Sequence, residues 1–286
     1  KGREELYKKI ASRTLETPIT WEVLLSSGED KKEAWTRLIN ENRLGGLAML
    51  RNIANMRKAE VPTPIIEKGI SQLSNSMLLP LDFYKSFKEN PMFARQIEDQ
   101  MITSYAYLPK LKGRTLLIVD TSGSMGSPMS SKSKFTRIEA AIAMAVLAVN
   151  QCEDCTLVCT AGNDCSRIGA HKQIKYPSKG FDLADEIISS KSEIGWGGIF
   201  TKQCLKWCKE NLEGDFDRII VFSDSQDCDL DKSLPEPFGK RNYICDVSSE
   251  LRGINYDGVW DAEISGFSEN FLTFIYSMEG GENCFE

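Results

Sequence analysis

The sequence is poor in residues typical of catalytic and metal sites. It has one histidine, His171, among 286 residues, and no Gly-x-x-x-x-Gly-Lys-Ser/Thr loop that would cradle nucleotide phosphates. Its nine cysteines include the Cys-x-x-Cys pair Cys152 and Cys155, but no second Cys-x-x-Cys pair. These absences argue against a zinc site and against nucleotide hydrolysis, and we predict a protein that is not an enzyme.

Long apolar runs are also absent. No segment reaches the roughly 18 consecutive apolar residues that a membrane span needs, and the first residues show no signal peptide. Cysteines such as Cys159 and Cys245 lie inside apolar patterns, which is typical of reduced, buried thiols in the cytosol. We therefore expect a cytoplasmic protein without a membrane segment. The chain begins with Lys1 and not with Met, which leaves open whether residues are missing upstream.

Positive charge is scarce in the C-terminal part of the chain. Residues 1–110 contain 17 Lys and Arg against 14 Asp and Glu, whereas residues 111–286 contain 18 against 27. The net charges are therefore +3 and −9. An acidic surface repels phosphate groups, so any contact with nucleic acid is expected in residues 1–110. The acidic part is better suited to binding a cation.

The hydrophobic pattern changes near residue 110 and predicts two domains. Apolar residues in 1–110 recur at helical spacing, which predicts a stack of short helices. In 111–286, strands alternate with amphipathic helices, which predicts an α/β domain with a mostly parallel sheet. The strand candidates are 114–120, 155–161, 167–175, 217–223, 241–247 and 259–265, and the helix candidates of this part are 134–151, 181–190, 200–212 and 268–278.

The first strand candidate ends in an aspartate that is followed by two serines at alternate positions. In a parallel α/β sheet, residues just beyond the carboxyl end of a strand form the ligand-binding crevice. The oxygens of Asp120, Ser122 and Ser124 would supply half of an octahedral shell, and Mg²⁺ prefers such oxygen ligands. The alternative is a polar loop in which a serine caps the next helix. We predict that these residues bind Mg²⁺ or another divalent cation.

A second strand candidate also ends in an acid. The candidate 217–223 has a continuous apolar core, residues 219–222, typical of a central strand, and Asp224 follows it directly. If the two strands are neighbours, Asp120 and Asp224 flank the same cation. The alternative is that Asp224 caps a turn.

The Asp-x-Ser-x-Ser spacing resembles the metal-ion-dependent adhesion site of von Willebrand factor A domains. The resemblance implies a further threonine ligand from a Gly-Gly-Thr loop. Here Gly197 and Gly198 are followed by Ile199, and Thr201 comes two residues later. Either Ile199 takes the threonine position and the site lacks this ligand, or the loop is longer and Thr201 turns inward as the ligand. The resemblance also implies that a carboxylate from a protein partner completes the metal shell.

Four stretches extend the resemblance beyond this site. They are residues 19–26 (ITWEVLLS), 47–56 (LAMLRNIANM), 113–120 (GRTLLIVD) and 264–268 (ISGFS). In this order they resemble the Ro autoantigen family of TROVE-module proteins. The resemblance implies HEAT-like helices in residues 1–110 and a Rossmann-like von Willebrand factor A domain in residues 111–286. It covers only the C-terminal portion of the family's helical ring. Either upstream sequence is absent, or this is a reduced member that builds any ring by forming a homo-oligomer.

The family resemblance implies a non-catalytic RNA-binding protein whose partners are small non-coding RNAs, such as Y RNA or misfolded RNA. Arg51 lies in a matching stretch and Arg57 and Lys58 follow it, so these three are the RNA-binding candidates. The alternative is that they are solvated charges on a helix. Tyrosines 84, 105 and 107 are either stacking groups for bases or core residues. The alternative function is a metal-dependent protein-interaction module that binds no RNA.

Overall fold

The computed structural model describes residues 2–14, 20–73, 78–131, 133–229, 234–248 and 258–280. The chain forms two compact units, 1–74 and 75–286. The matching stretch 19–26 begins with Ile19, which lies outside the described residues.

The first unit is helical throughout its described residues. Its helices are α1 (Gly2–Ala11), α2 (Trp21–Ser26), α3 (Lys31–Asn40), α4 (Gly46–Lys58) and α5 (Thr63–Ser71). Polar caps set two of the helix starts, because Thr20 accepts a hydrogen bond from the backbone N–H of Val23 and Asp30 accepts one from that of Glu33.

The core of the helical unit lies where α5 packs against α3 and α4. Trp35, Leu38 and Ile39 of α3 are buried, as the helical spacing predicts. Gly69 lets α5 approach closely, because a Cβ atom at this position would lie 2.7 Å from Sδ of Met49.

The second unit joins helices to a sheet. Its helices are α6 (Pro80–Glu89), α7 (Ala94–Ser104), α8 (Arg137–Gln151), α9 (Asp182–Ile194), α10 (Thr201–Asn211) and α11 (Asn270–Met278). Its strands are β1 (Leu111–Asp120), β2 (Cys152–Asn163), β3 (Ile168–Ile174), β4 (Arg218–Ser223), β5 (Arg241–Asp246) and β6 (Ala262–Ser265).

The six strands form one sheet in the order β3-β2-β1-β4-β5-β6. All neighbouring pairs are parallel except β2 and β3. This is the strand order of Rossmann-like sheets, with an antiparallel edge strand added to parallel strands. The predicted fold class, helices followed by a mostly parallel α/β sheet, is confirmed. The strands that precede Asp120 and Asp224 are neighbours.

Helix α8 explains why this part of the sequence is apolar over many consecutive residues. The helix contacts β1, β2 and β4, and it also contacts α6 and α9. A helix covered on several sides is apolar all round, so its residues 140–149 are all buried.

Two helices that precede the sheet belong to the same compact unit as the sheet. Phe181, which is fully buried at the start of α9, lies 4.5 Å from Phe87 and 5.4 Å from Tyr84 of α6 between ring centroids. The ammonium of Lys88 lies 2.6 Å from Glu139 of α8. The compact units therefore divide at 74/75, whereas the predicted boundary at 110/111 marks the change from helix to sheet.

These contacts also correct the role suggested for the tyrosines. Tyr84 and Tyr105 are both 2 % exposed, and the hydroxyl of Tyr105 donates to the carbonyl oxygen of Leu78 at 2.6 Å. They are core residues and cannot stack on RNA bases. Tyr107 is exposed.

The described cysteines are free thiols, among which Cys159 and Cys245 are fully buried. Within the described ranges, every helix is too short or too polar to span a bilayer.

Candidate functional site

Asp120 ends β1 and is fully buried. One carboxylate oxygen, Oδ1, accepts a hydrogen bond from the backbone N–H of Ser122 at 2.8 Å, and Oδ2 accepts one from the hydroxyl of Ser223 at 2.7 Å. The hydroxyl oxygens of Ser122 and Ser124 lie 3.1 Å apart. The end of β1, the loop after it and the end of β4 therefore bring together one carboxylate and three hydroxyls. We call Asp120, Ser122, Ser124, Ser223 and Asp224 the polar edge.

Asp224 follows β4 directly, so the sheet delivers it beside Asp120 as the sequence predicts. Its carboxylate is bound by Arg137, a residue that lies outside the predicted site motifs. Nη1 of Arg137 lies 2.7 Å from Oδ2 of Asp224, and the two side chains are 5 % and 0 % exposed. This is a buried ion pair between residues 87 positions apart.

One signal in the sequence could have indicated Arg137. It is the first residue of α8, where the positive end of the helix dipole disfavours a cation. Glu139 instead follows the usual preference, because it forms a capping box with Thr136. An arginine at the start of an apolar helix therefore indicates a buried anionic partner, although the sequence does not say which one.

Ile199 and Thr201, the two candidates for the threonine position of the motif, lie in different surroundings. Ile199 is 2 % exposed, and its carbonyl oxygen accepts a hydrogen bond from the backbone N–H of Cys228 at 2.8 Å. Thr201 is the first residue of α10, and its backbone N–H donates to Asp227 at 3.3 Å. The role of Thr201 as a metal ligand stays a prediction.

Backbone hydrogen bonds tie the loops around the polar edge together. The N–H of Gly123 donates to the carbonyl oxygen of Gly197, and the N–H of Gly197 donates to that of Gly162, both at 3.0 Å. A Cβ atom on Gly197 would lie 2.3 Å from the carbonyl oxygen of Gly162. Only glycine permits this approach of the two main chains.

Two ionisable groups at the edge have shifted pKa values. Burial raises the pKa of Asp120 from its ordinary 3.8 to about 7; the hydrogen bond from Ser122 opposes this shift and the charge of Asp224 adds to it. Burial lowers the pKa of Lys191 on α9, whereas the charge of Asp120 raises it. The ammonium of Lys191 lies 4.7 Å from the ring centroid of Trp196.

Asp120→Asn is expected to stabilise the protein at pH 8 by about 2–4 kcal/mol. The folded chain binds the Asp120 proton more tightly than the unfolded chain does, because its folded pKa is the higher one. The stability of the wild type therefore falls as the pH rises from about 4 to about 7, and asparagine removes this loss. Urea unfolding at pH 5 and pH 8 measures the difference. The exposed Asp99→Asn is the control, and a variant less stable than the wild type at pH 8 would contradict the expectation.

The residues of the polar edge, as arranged, do not fit a divalent cation. The oxygens of Asp120, Ser122 and Ser124 are suitable in kind. The carboxylate of Asp224, however, is bound by a guanidinium that carries the positive charge a metal would supply. Within the described ranges, no three His, Cys, Asp or Glu side chains come together as a metal cluster. No step of the proposed function depends on a metal.

The predicted RNA-binding residues lie together on α4. Arg51, Arg57 and Lys58 are all exposed. Arg51 and Lys58 are seven residues apart, which places them on the same side of the helix about 10 Å from each other along its axis.

A groove of about 750 Å³ runs beside Lys58 in the helical unit. Trp21 of α2 stacks on Trp35 of α3 at one side, with ring centroids 5.9 Å apart. Asn52 and Asn55 of α4 line it further. The groove thus combines a partly exposed indole, two amides and three lysines (Lys31, Lys32 and Lys58), and it also contains the acidic side chains of Glu29 and Asp30.

Fold and site define a protein of two parts, a short helical segment followed by an α/β unit with a buried, ion-paired sheet edge. Residues 11–85 match the family model of the TROVE domain. This segment is therefore similar to the TROVE domain, in agreement with the predicted resemblance to Ro (TROVE-module) proteins. The match includes α4 and ends within α6, so it does not extend to the sheet.

The chain was also compared with solved structures and with curated proteins, and the structural matches are distant. The Ro (RSR) protein of Deinococcus radiodurans is similar, with 15 % identity and a TM-score of 0.48 over 91 % of this chain and 63 % of that one. An aerotolerance-related membrane protein from Bacteroides fragilis has 14 % identity and a TM-score of 0.29 over 59 % of this chain and 88 % of that one. No curated protein matches. Such distant structural matches carry no functional argument, and the chain spans less than two thirds of the Deinococcus protein.

Proposed function

We propose that this protein is a non-catalytic RNA-binding protein of the Ro type. The TROVE match over residues 11–85 is the observation that carries the proposal. The RNA partners we propose are small structured or misfolded non-coding RNAs. The helical unit is the part that contacts them, because the chain's excess of positive charge lies before residue 111.

Helix α4 supplies the phosphate contacts in this proposal. Arg51 and Lys58 lie on one side of the helix, so a single RNA strand can pass both cations. Arg57 adds a third charge on a neighbouring side of the same helix. Long basic side chains on a solvent-facing helix neutralise phosphates without fixing a sequence, which suits RNA partners of varied sequence.

The groove beside α4 supplies the contacts to bases. Trp21 is only partly buried and is held in place by its stack on Trp35, so it offers a rigid aromatic surface to an unpaired base. The amide of Asn55 donates to Oδ1 of Asn52, and that of Asn52 donates to the carbonyl oxygen of Ala48, both at 2.9 Å. Each amide nitrogen carries a second N–H, which can donate to the edge of a base. Lys58 borders the same groove and links base contacts to phosphate contacts.

The α/β unit is, in this proposal, a von Willebrand factor A-like domain. Its sheet order and its paired acidic strand ends support the assignment. The proposal includes neither the magnesium ion predicted at these strand ends nor the partner carboxylate that would bind to it.

A second candidate function is protein binding at the sheet edge without RNA. Trp196 and Ile168 are 68 % and 61 % exposed, and both line a groove of about 540 Å³ in the α/β unit. Exposed large apolar side chains grouped in one groove favour a protein partner. Trp196→Ala therefore separates the two functions, because RNA binding by the helical unit does not use this side chain.

The double substitution Arg51→Gln and Lys58→Gln is expected to weaken RNA binding about tenfold. The number of phosphates that the protein neutralises, taken from the slope of log K against log salt concentration, should fall by about two. The measurement is a gel shift over a salt series, with a small hairpin RNA that carries a single-stranded 3′ tail. The matched control is Lys8→Gln with Lys9→Gln, which removes two exposed charges on α1, mostly outside the TROVE match. Wild-type protein that binds no RNA at low salt would disprove the proposed function.

A further inference from the structure

The buried pair of Arg137 and Asp224 places a permanent positive charge at the polar edge. The side chains are 5 % and 0 % exposed, and the nitrogen and oxygen lie 2.7 Å apart. Arg137 is well placed for this contact, because the capping box of Thr136 and Glu139 fixes the first turn of α8. The ammonium of Lys88 holds Glu139 in turn at 2.6 Å. The guanidinium is therefore positioned by the fold.

The other oxygens of the edge are also bound by the chain itself. Both carboxylate oxygens of Asp120 accept hydrogen bonds, one from the backbone of Ser122 and one from the hydroxyl of Ser223. The position directly after Gly198 holds a buried isoleucine, Ile199, which has no oxygen in its side chain to offer a metal. A metal would have to displace a guanidinium to reach Asp224.

Displacing Arg137 is costly on physical grounds. A buried ion pair that loses one partner leaves an uncompensated charge inside the protein. A metal bound to Asp224 would leave the guanidinium of Arg137 buried without its carboxylate partner. The guanidinium would also be repelled by the positive charge of the nearby metal. The guanidinium also donates a charge-assisted hydrogen bond to Oδ2 of Asp224 at 2.7 Å, a bond that the carboxylate would lose if a metal displaced Arg137.

We infer that Arg137 is the resident cation of the polar edge, and that its guanidinium replaces the divalent metal at Asp224. Asp224 stays neutralised in the absence of Mg²⁺, and the edge does not recruit a partner's carboxylate through a metal. This inference runs against the magnesium site predicted from the sequence. It does not depend on RNA binding, and either proposal can fail without the other.

The test compares divalent-cation binding by the full chain and by Arg137→Met, which removes the charge and keeps a similar volume. Thermal unfolding is measured in EDTA and in MgCl₂, and Mn²⁺ binding is followed by electron paramagnetic resonance. The wild type is expected to have the same Tm in EDTA and in MgCl₂ and to show no stoichiometric Mn²⁺ signal. Arg137→Met is expected to lose about 10 °C in Tm in EDTA and to regain several degrees in MgCl₂ as the cation takes the vacated place.

The control is Arg241→Met, which breaks the more exposed ion pair between Arg241 of β5 and Asp261 and should create no response to Mg²⁺. Stoichiometric Mn²⁺ binding by the wild type, abolished in Asp224→Asn, would overturn the inference. A folded Arg137→Met without any response to Mg²⁺ would also overturn it, because the guanidinium would then occupy no cation site. If Arg137→Met does not fold, the wild-type measurements decide alone.

Discussion

Arg218→Met is expected to lower the free energy of unfolding by about 3–5 kcal/mol. Arg218 begins β4 and is 3 % exposed. Its Nη1 donates to the hydroxyl of Thr115 at 2.8 Å and its Nη2 to the carbonyl oxygen of Lys112 at 2.7 Å. Nε and Nη2 also donate to the two carboxylate oxygens of Glu279, at 2.8 and 2.6 Å. Methionine fills the volume but leaves a largely buried carboxylate and a carbonyl oxygen without these donors.

Urea unfolding of the wild type and the variant measures this effect, with Arg95→Met as the control. Arg95 is 91 % exposed and lies 4.0 Å from Asp99, so its loss should change stability by less than about 0.5 kcal/mol. A double-mutant cycle with Glu279→Met adds a sharper criterion. If the buried pair is the cause, removing both partners should cost less than the sum of the single changes. Equal losses in Arg218→Met and Arg95→Met would contradict this explanation.

Phe181→Ala is expected to cost about 3–5 kcal/mol, because it empties the fully buried space between α6 and the start of α9. The ring of Phe181 contacts those of Tyr84 and Phe87, and these three aromatic residues attach α6 to the α/β unit. Hydrogen exchange of the α6 backbone amides should therefore speed up in the variant. In the wild type these amides should be protected as strongly as those of β1.

Phe274→Ala on α11 is the matched control for this experiment. The same side chain is removed, but Phe274 is 41 % exposed, so we expect a much smaller change in stability. If the α6 amides exchange freely in the wild type while the sheet stays protected, then α6 does not belong to the folded α/β unit. The division at 74/75 would then be contradicted in favour of 110/111.

Periodicity in the sequence was sufficient to predict most of the α/β unit. Every residue of β4 is buried, and the continuous apolar run of residues 219–222 indicated a central strand. The position of Asp120 and Asp224 at one edge also followed, because parallel strands end on the same side of a sheet. These features depend on local spacing and on a general rule of topology.

What could not be predicted depends on pairing between distant residues. The pattern of α6 shows which face is apolar, but not that Phe181 covers it. Arg137 and Asp224 are 87 residues apart, and each has several chemically acceptable partners. From the sequence alone, the four oxygen-bearing residues Asp120, Ser122, Ser124 and Asp224 indicate a metal site. The structure shows instead that a guanidinium binds Asp224. Acidic side chains at the ends of neighbouring strands therefore predict that a cation binds there. They do not show whether this cation is a metal ion or an arginine.

The main-chain hydrogen bonds between Gly123, Gly197 and Gly162 affect which substitutions the polar edge can accept during evolution. They hold the loops through backbone atoms, so the frame does not depend on which neighbouring side chains bind the cation. An exchange at position 137 or 199 can therefore alter the ion without rebuilding the loops. A metal site and a metal-free ion pair are then separated by very few substitutions, and a lineage can pass between them while the fold stays the same.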